Sequence, residues 1–376
     1  MKRFKVIFLF ALVTVIGCEK GNESFFPYQS VSIKDISINN ITIDTLRIIP
    51  PSSSYVIESG IFNDNIYLFD RYYCTMLTFD KEGNFLCENL GQGRGPKETP
   101  IGRIISHGIF QNGDFVLLGS NLDHYLYNKD CETINMFTLM PNEDKKINIE
   151  DNPYTYTHLY NDMVCRTYND KVYFSVRAEH PELNHLDHTS DFLNKSCNIL
   201  EVDIYDQTKN KVLSKGYPDH YKKQPYNNVI LSGVNFDVDH NGNFYISYEA
   251  DSMIYCYDKN FKPINCFGYS GVNMDLNYVP ITNYSDSRKN YRNERNKKGY
   301  YYWVEYEEQT SLLFRTYKKG EQEISDGLQI YNTNKLIADV DIPKNMRVMG
   351  YIAPYYYSYV ISDEDQETMI LYRFKL

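Results

Sequence analysis

The sequence lacks the segments and motifs that mark several common classes of protein. The apolar run at residues 6–16 is too short for a membrane-spanning helix, which needs about 20 apolar residues. There is no Cys-x-x-Cys pair, no Gly-x-Ser-x-Gly nucleophile elbow and no protein-kinase signature set. These absences argue against a cysteine-type zinc site, a serine hydrolase of the elbow type and a kinase.

Positive charge is also in short supply. The chain has 39 Lys and Arg residues against 49 Asp and Glu residues, and its formal net charge is −10. Nucleic acids and anionic membrane surfaces are bound by clusters of Lys and Arg. We therefore expect no nucleic-acid partner, and attachment to a membrane would need a lipid.

The N-terminus supplies a site for such a lipid. Lys2, Arg3 and Lys5 precede the apolar run, and the small residue Gly17 precedes Cys18. This order is typical of a secretory signal peptide. A cysteine directly after the small residue resembles a bacterial lipobox, in which the signal peptidase cuts and Cys18 becomes the acylated first residue. The alternative is an ordinary signal peptide followed by a chance cysteine.

These features predict three segments: a signal peptide at residues 1–17, a lipidated tether at 18–30 and a folded body at 31–376. Each buried CH₂ of a lipid contributes about 0.8 kcal/mol, so several chains on one cysteine hold a protein durably. We expect a lipid-anchored protein of the cell envelope, at the outer membrane. The sequence leaves open whether it faces the periplasm or the cell surface.

The remaining cysteines are scattered singly along the chain. Two interpretations stay open, since an exported location permits disulfides while single buried thiols on strands pack as small apolar residues. These seven cysteines are Cys74, Cys87, Cys131, Cys165, Cys197, Cys256 and Cys266.

Composition and turn pattern favour an all-β fold. The chain has 36 Tyr and 20 Phe, and strand-forming runs alternate with short turns that contain Gly, Asn or Asp. Five copies of a strand–turn–strand pattern are marked by an aromatic residue before the outer turn, at intervals of 48 to 78 residues. Repeats of about 40–50 residues are the sequence signature of propellers. The markers are Phe79, Tyr127, Tyr205, Tyr257 and Tyr317.

The ends of the chain predict a sixth blade. The last segment, residues 348–374, has three strands where a blade needs four, and a strand within residues 31–49 has no partner of its own. An N-terminal strand in the last blade would close the ring and remove two sheet edges. We predict a six-bladed β-propeller of four-stranded antiparallel blades. Two packed β-sandwich domains are the alternative, disfavoured because no linker divides the chain.

One decapeptide carries a specific resemblance. Residues 89–98, Asn-Leu-Gly-Gln-Gly-Arg-Gly-Pro-Lys-Glu, resemble the glycine-proline signature of exported six-bladed β-propeller lipoproteins of Bacteroidota, often described as TolB-like or NHL-like. In that family the Gly-Pro is usually followed by Gly-Glu, and here Lys97 replaces the second Gly. The resemblance implies the fold and export, and it implies no catalytic residues.

Three features are candidates for ligand binding. Arg94 lies on the decapeptide, which we predict to be a tight crossover between blades and not a phosphate loop. A basic stretch at residues 285–299, predicted as a loop, could meet an anionic ligand through Arg292 and Arg295. Tyr301 and Trp303 belong to a dense aromatic run that either packs between blades or forms a platform for sugars or peptides.

Metal binding is a weaker possibility, and we expect no cofactor. His185, His188 and the acidic residue Asp191 have a spacing that suits zinc, although they fall in a polar insertion expected near residues 178–196. The segment that begins at Asp237 opens like a calcium loop but has Tyr248 where a bidentate Glu is required. For that segment a strand–turn–strand unit is the preferred interpretation.

Two functions follow from these features. The first is a binding or scaffold protein that engages a glycan, peptide or protein partner through loops on a rigid scaffold. The alternative is a hydrolase or lyase at the central channel, which requires His, Asp or Glu residues to converge there.

Overall fold

The protein is an all-β six-bladed propeller built from four-stranded antiparallel sheets, as the sequence predicts. The computed structural model describes residues 24–100, 103–121, 123–139, 147–158, 163–184, 191–206, 210–222, 232–278, 284–320 and 323–376. The predicted signal peptide and Cys18 lie outside these ranges. Within them, no helix is both long and apolar enough to cross a membrane.

Two strands precede the first complete blade, and both join sheets from the C-terminal part of the chain. β1 (Ile33–Ile38) pairs in parallel with the last strand of the fifth blade, and so adds a fifth strand to that sheet. β2 (Ile43–Ile48) pairs antiparallel with the last strand of the chain, from Ile43 opposite Phe374 to Ile48 opposite Met369. The two ends of the folded body therefore share one sheet.

The first two blades are simple four-stranded meanders, and neighbouring strands are joined by short turns. The first consists of β3 (Ile57–Phe62), β4 (Asn65–Asp70), β5 (Thr75–Phe79) and β6 (Phe85–Leu90). The second consists of β7 (Ile104–Ile109), β8 (Phe115–Gly119), β9 (Asp123–Tyr127) and β10 (Thr133–Thr138).

The third blade carries the insertion and the fourth is again a plain meander. Two 3₁₀ turns, Ile149–Asp151 and Pro153–Thr155, precede the third blade. Its strands are β11 (Tyr156–His158), β12 (Cys165–Tyr168), β13 (Lys171–His180), β14 (Leu183–Asn184), β15 (Cys197–Asp203) and β16 (Lys211–Lys215), with α1 (Phe192–Lys195) before β15 and α2 (Asp219–Lys222) after β16. The fourth blade consists of β17 (Val234–Val238), β18 (Phe244–Tyr248), β19 (Ile254–Tyr257) and β20 (Pro263–Phe267).

The last two blades receive the N-terminal strands described above. The helix α3 (Tyr284–Lys298) leads into the fifth blade. That blade consists of β21 (Tyr300–Glu307), β22 (Leu312–Lys318), β23 (Asp326–Asn332) and β24 (Lys335–Ile342). The sixth consists of β25 (Val348–Ile352), β26 (Tyr355–Ser358), β27 (Ile361–Asp363) and β28 (Thr368–Phe374), completed by β2.

One turn recurs between strands and explains several sequence motifs. An Asp or Asn side chain accepts hydrogen bonds from the backbone N–H groups two and four residues later, and the residue three positions later has a positive φ. Gly fits that third position because it adopts positive φ without strain. The first residues of these turns are Asp80, Asn128, Asp239 and Asp258. The segment that resembles a calcium loop is therefore a hairpin turn between β17 and β18.

The apolar core lies between neighbouring blades. Both faces of a blade are apolar, so each sheet is buried against the blades on either side. Four of the five marker aromatics are buried there, but Tyr205 is 62% exposed and Ile204 occupies the buried position. No disulfide joins the seven cysteines, all of which lie in the described ranges, and Cys87, on an outer strand, is the exposed one.

The prediction of a loop at residues 285–299 is wrong, because most of this segment forms the helix α3. The segment has no Pro or internal Gly, and it ends where Gly299 adopts a φ of 78°. Basic residues occupy its last turn, where their positive charges are attracted to the negative end of the helix dipole. The sequence signal was weak because the helix has no apolar stripe.

A fully buried arginine joins the fourth and fifth blades. The Arg315 guanidinium lies over the Tyr301 ring at 3.8 Å and donates to the carbonyl oxygens of Ser252 and Tyr269, each at 2.8 Å. It also donates to the side-chain oxygen of Gln329 at 2.7 Å. All the acceptors are neutral, so this arginine acts through hydrogen bonds between blades and not through an ion pair in contact with it.

We expect Arg315→Leu to lower the free energy of unfolding by about 2–4 kcal/mol, because buried carbonyl groups lose their donor. Arg315→Lys should recover only part of the loss, since one ammonium cannot reach every acceptor. Urea unfolding measures both, and the exposed Arg47→Leu is the matched control. Equal stability of the Arg315 and Arg47 variants would contradict this role.

Candidate functional site

The central axis holds a cavity of about 800 Å³ to which all six blades contribute wall residues. Each blade turns one strand toward the axis, namely β3, β7, β12, β17, β21 and β25, and most wall residues lie where these inner strands begin. The inner-strand contributions are Ile57–Ser59, Ile105–His107, Cys165 and Arg166, Gly233–Asn235, Tyr300 with Tyr302 and Trp303, and Arg347. Connections at the same end of the blades add Arg71, Lys318 and Tyr359–Ile361. The other wall residues are Thr157, Met163, Arg177, Glu249, Arg295 and Asn345.

A β-bulge sets the aromatic part of the wall. Residues along a strand alternate between faces, so Tyr302 and Trp303 would normally point in opposite directions. The pairing of β21 with β22 shifts between Tyr301 and Trp303, which places an extra residue in β21. As a result Tyr302 and Trp303 both line the cavity, whereas Tyr301 is fully buried between blades.

Arg166 is the centre of an ion-pair network at the cavity. Its Nε lies 2.9 Å from the Asp237 carboxylate and its Nη2 lies 2.7 Å from the Glu305 carboxylate. The Trp303 indole N–H donates to the same Glu305 oxygen at 3.1 Å. The network joins the third, fourth and fifth blades, and Arg166 also donates to the Tyr359 hydroxyl of the sixth at 3.5 Å.

The Asp237 and Glu305 carboxyl groups are buried and share a single guanidinium, and burial raises the pKa of both. Burial raises the pKa of Glu305 to about 8 against the opposing effect of Arg166, and the nearby Asp237 adds to the rise. Burial likewise raises the pKa of Asp237, again opposed by Arg166. At neutral pH the network therefore tends to hold one proton on its acidic side.

Cations stack on the aromatic side chains of the wall. The Arg347 guanidinium lies 4.7 Å from the Trp303 ring centre and 4.9 Å from that of Tyr359, and Arg166 lies 4.9 Å from Trp303. Two further pairs follow the same pattern, Arg295 over Tyr300 at 3.7 Å and Lys318 over Tyr302 at 5.0 Å. Such stacking fixes the position of a long cationic side chain.

His107 is a neutral member of the wall. Burial lowers the pKa of His107 to about 3, and the positive charge of Arg166 acts in the same direction. Its Nδ1 atom is buried and has no hydrogen-bond partner among the described residues. The imidazole packs against the Phe69 ring at a tilt of 36°, with ring centres 4.5 Å apart, so it is part of the packed wall.

The structure places the predicted ligand residues in different surroundings. Arg295 and Trp303 line the cavity, and Arg295 forms an ion pair with Glu249. Tyr301 contacts Arg315 and lies away from the cavity. Arg94 is exposed on the crossover at residues 91–99, where Thr99 N–H donates to the Gly91 carbonyl, and it is not in the wall. Arg292 lies on α3, and its side chain is outside the described structure.

The predicted zinc set is described only in part. His185 and His188 lie outside the described residues, while the exposed Asp191 pairs with Lys195 at 2.7 Å. In the part of the chain that the structure describes, no three His, Cys, Asp or Glu side chains are grouped as a metal site. The zinc hypothesis therefore stays a prediction for this segment.

Most residues of the cavity wall cannot be recognised from sequence patterns. Arg71, Arg166, Arg177 and Arg347 occur singly, separated by many residues, and nothing in their local sequence marks them as neighbours. One signal was present in principle. A charged residue near the beginning of a blade's inner strand, as Arg166 is in β12, faces the axis once the blades are assigned.

We expect Glu305 to give the stability of the protein a characteristic pH dependence. Its pKa in the folded protein is about 8, against about 4.3 for an ordinary glutamate. Between these values the folded state keeps a proton that the unfolded state has released. The proton on Glu305 therefore contributes its full stabilisation below about pH 4, and this contribution is lost as pH rises through 8. Over that range the free energy of unfolding falls by up to about 1.4 kcal/mol per pH unit.

Unfolding of the wild type and of Glu305→Gln in urea, compared from pH 5 to pH 9, measures this effect. The stability difference between the two proteins should shift in favour of the variant as pH rises. A difference that is constant with pH would show that Glu305 is ionised throughout.

Comparisons with known proteins agree with the fold. A crystal structure of a member of the DUF4221 family from Bacteroides vulgatus has a TM-score of 0.62 at 10% sequence identity, covering 90% of this chain and 98% of that one. A crystal structure of a "Putative exported protein" from Bacteroides fragilis has a TM-score of 0.51 at 14% identity, covering 93% of this chain and 100% of that one. No curated protein matches the sequence.

The sequence itself matches a family model. The model of a domain of unknown function, DUF4221, matches residues 91–338, which is about two thirds of the chain. The match includes the crossover and every complete blade from the second to the fourth, with most of the fifth. On this match, the chain belongs to the DUF4221 family.

Proposed function

We propose that this protein is a lipid-anchored binding protein of the cell envelope that takes its ligand into the central cavity. The observation that supports the proposal is the cavity of about 800 Å³, lined by residues from all six blades. Ligand pockets commonly measure about 300–1,000 Å³. The walls are inner strands paired on one side and packed on both faces, so the site is formed before any ligand arrives.

The ligand classes are those that the sequence suggests: a glycan, a peptide or a protein partner that inserts one end. A cavity of this size accommodates a small molecule or the terminal unit of a larger one. A scaffold role would use the same face, because the connections around the cavity are the parts of the propeller that differ most between blades.

The envelope location rests on the N-terminal residues and on one relative. Residues 1–18 have the order of a lipoprotein signal, and the Bacteroides fragilis neighbour is described as exported. Outer-membrane placement follows from the resemblance to exported propeller lipoproteins. The lipid on Cys18 and a short tether would hold the propeller next to the membrane.

The alternative, a hydrolase or lyase at the channel, receives less support. General acid–base catalysis needs a carboxyl or imidazole that can reach a substrate and move a proton. Glu58 is 3.6 Å from Arg71, and Glu249 forms an ion pair with Arg295. With both wall carboxylates held by arginines, the site is better suited to binding than to proton transfer.

Trp303 gives a direct test of binding, because it is the only tryptophan in the chain and it lines the cavity. The mature protein, purified in detergent, can be screened with glycan and peptide libraries by selective tryptophan fluorescence. A ligand should change that emission. At 100 times its Kd it should also add about 2.7 kcal/mol to the free energy of unfolding.

A cavity-filling variant shows whether the ligand enters the cavity. Asn235→Phe places a ring in the wall and should abolish binding, measured by calorimetry. Asn260→Phe, in the exposed turn between β19 and β20, is the control and should bind normally. A ligand that binds both variants equally well would place the site elsewhere on the propeller.

Lipidation is tested separately from binding. In a bacterial host that processes lipoproteins, the wild type should incorporate a labelled fatty acid and sediment with the membrane fraction. Cys18→Ala should lose the label and enter the soluble fraction, whereas Cys87→Ala should keep it, because Cys87 is the exposed cysteine of an outer strand. Retention of the label by Cys18→Ala would refute the anchor.

A further inference from the structure

We propose that the ligand of the central cavity is a small molecule, or the end of a larger one, with at least two separated oxyanion groups such as carboxylates or sulfates. This inference rests on the proposed function and specifies the ligand that the same site would take. It is carried by the charges of the cavity wall and by their arrangement around the ring.

The wall is cationic although the protein is acidic. Two carboxylates, Glu58 and Glu249, face six cations among the described wall residues. The cations are Arg71, Arg166, Arg177, Arg295, Lys318 and Arg347. Three more carboxyl groups pair with the wall cations Arg166 and Lys318 but do not line the cavity themselves. They belong to Asp237, Glu305 and Asp326. The local balance is therefore positive in a chain with a net charge of −10.

The choice of cation indicates what is recognised. The chain has 13 arginines and 26 lysines, yet five arginines and one lysine line the cavity. If the cavity required only positive charge, lysine and arginine would be equally suitable. The planar guanidinium instead matches the two oxygens of a carboxylate, sulfate or phosphate with parallel hydrogen bonds.

Two of these arginines have no carboxylate partner. Among the side chains that the structure describes, none with a carboxylate lies within ion-pair distance of Arg177 or Arg347. Arg71 contributes a third donor, since its Nη2 atom is buried and has no hydrogen-bond partner there. The buried Arg71 donor is costly unless a ligand satisfies it, whereas Arg177 and Arg347 are half-buried.

The two unpaired arginines lie on opposite sides of the ring. Arg177 extends from β13 of the third blade, and Arg347 directly precedes β25 of the sixth. Neighbouring blades contact each other in chain order and the sixth contacts the first, so the third and sixth are three steps apart in either direction. Two arginines without a described carboxylate partner, carried by separate blades, suit a ligand that has one anionic group for each.

Aromatic stacking prepares Arg347 for this role. The central carbon of its guanidinium lies 4.7 Å from the centre of the Trp303 ring and 4.9 Å from that of Tyr359. The N–H bonds point outward in the guanidinium plane, so a stacked arginine keeps its hydrogen-bonding edges available. It also loses less conformational entropy when a ligand binds.

The test uses calorimetry on the mature protein in detergent with four probes: digalacturonate, the dipeptide Glu-Glu, neutral lactose and inorganic sulfate. We expect at least one of the two diacids to bind more tightly than lactose and sulfate by roughly tenfold or more, and its binding to weaken as salt increases. The diacid that binds identifies the source of the oxyanions, a saccharide or a peptide.

Variants then assign the contacts. Arg177→Gln and Arg347→Gln should each weaken diacid binding roughly ten- to a hundredfold, which corresponds to one lost charged hydrogen bond. Arg47→Gln, exposed on β2, should have no effect. Circular dichroism and urea unfolding confirm that each variant is folded, and the salt dependence of binding should decrease only in the cavity variants.

Several results would overturn the inference and leave the proposed function intact. These are tight binding of lactose, sulfate binding as strong as that of a diacid, or diacid binding that is unchanged in both arginine variants. If no probe binds while the library screen finds a ligand sensitive to Asn235→Phe, the oxyanion inference fails and the binding function stands. If that screen also finds no ligand, both fail.

Discussion

Each blade of this protein has two apolar faces, and both must be covered by other blades. That constraint determines the architecture, because a sheet buried on both sides has no stable end except a closed ring. Clusters such as that of Ile66, Leu77 and Met349 join the first blade to the sixth as tightly as clusters elsewhere join blades adjacent in sequence. The N-terminal strand β2 contributes Ile48 to the same cluster. Closure in turn brings six inner strands to one axis.

The same constraint explains how much could be predicted. Alternating aromatic strands, short Gly and Asp turns and the repeat interval are local signals, and they predict five blades. The sixth blade is predicted from the two ends of the chain, where three strands and one unpartnered strand make up four. The cavity wall is not local: Arg166, Asp237 and Glu305 come from three blades and meet only in the ring. Trp303 is a candidate because it belongs to a dense aromatic run, but its place in the wall depends on a bulge that strand alternation does not reveal. The helix α3 was missed because it lacks the apolar stripe on which helix prediction depends.

Two arginines, Arg315 and Arg166, show how the protein uses the same side chain for different purposes. Arg315 is enclosed between blades and bonded to neutral oxygens, so it ties strands together and is closed to any ligand. Arg166 lies at the cavity, where the carboxyl groups of Asp237 and Glu305 bind its guanidinium and where it also contacts Trp303 and Tyr359. A buried ion pair is rarely a net source of stability, since desolvation offsets the attraction. We therefore expect the Arg166 network to hold part of the cavity wall in a fixed position and to contribute little to the free energy of unfolding.

The charge of Arg166 is balanced within its own network. The other cations of the cavity wall therefore need a separate explanation. Cations that converge on one axis repel each other, and a propeller could relieve that repulsion by placing a carboxylate beside each. It does so for Arg71, Arg166, Arg295 and Lys318. For Arg347 it uses aromatic rings instead, which hold the guanidinium in place without satisfying its N–H groups. A cation–π contact contributes about 0.5–2 kcal/mol and an exposed ion pair about 0–1 kcal/mol, so the rings hold Arg347 without a loss of stability. A carboxylate beside Arg347 would occupy its N–H donors, whereas the rings leave them able to bind an anion that arrives from outside.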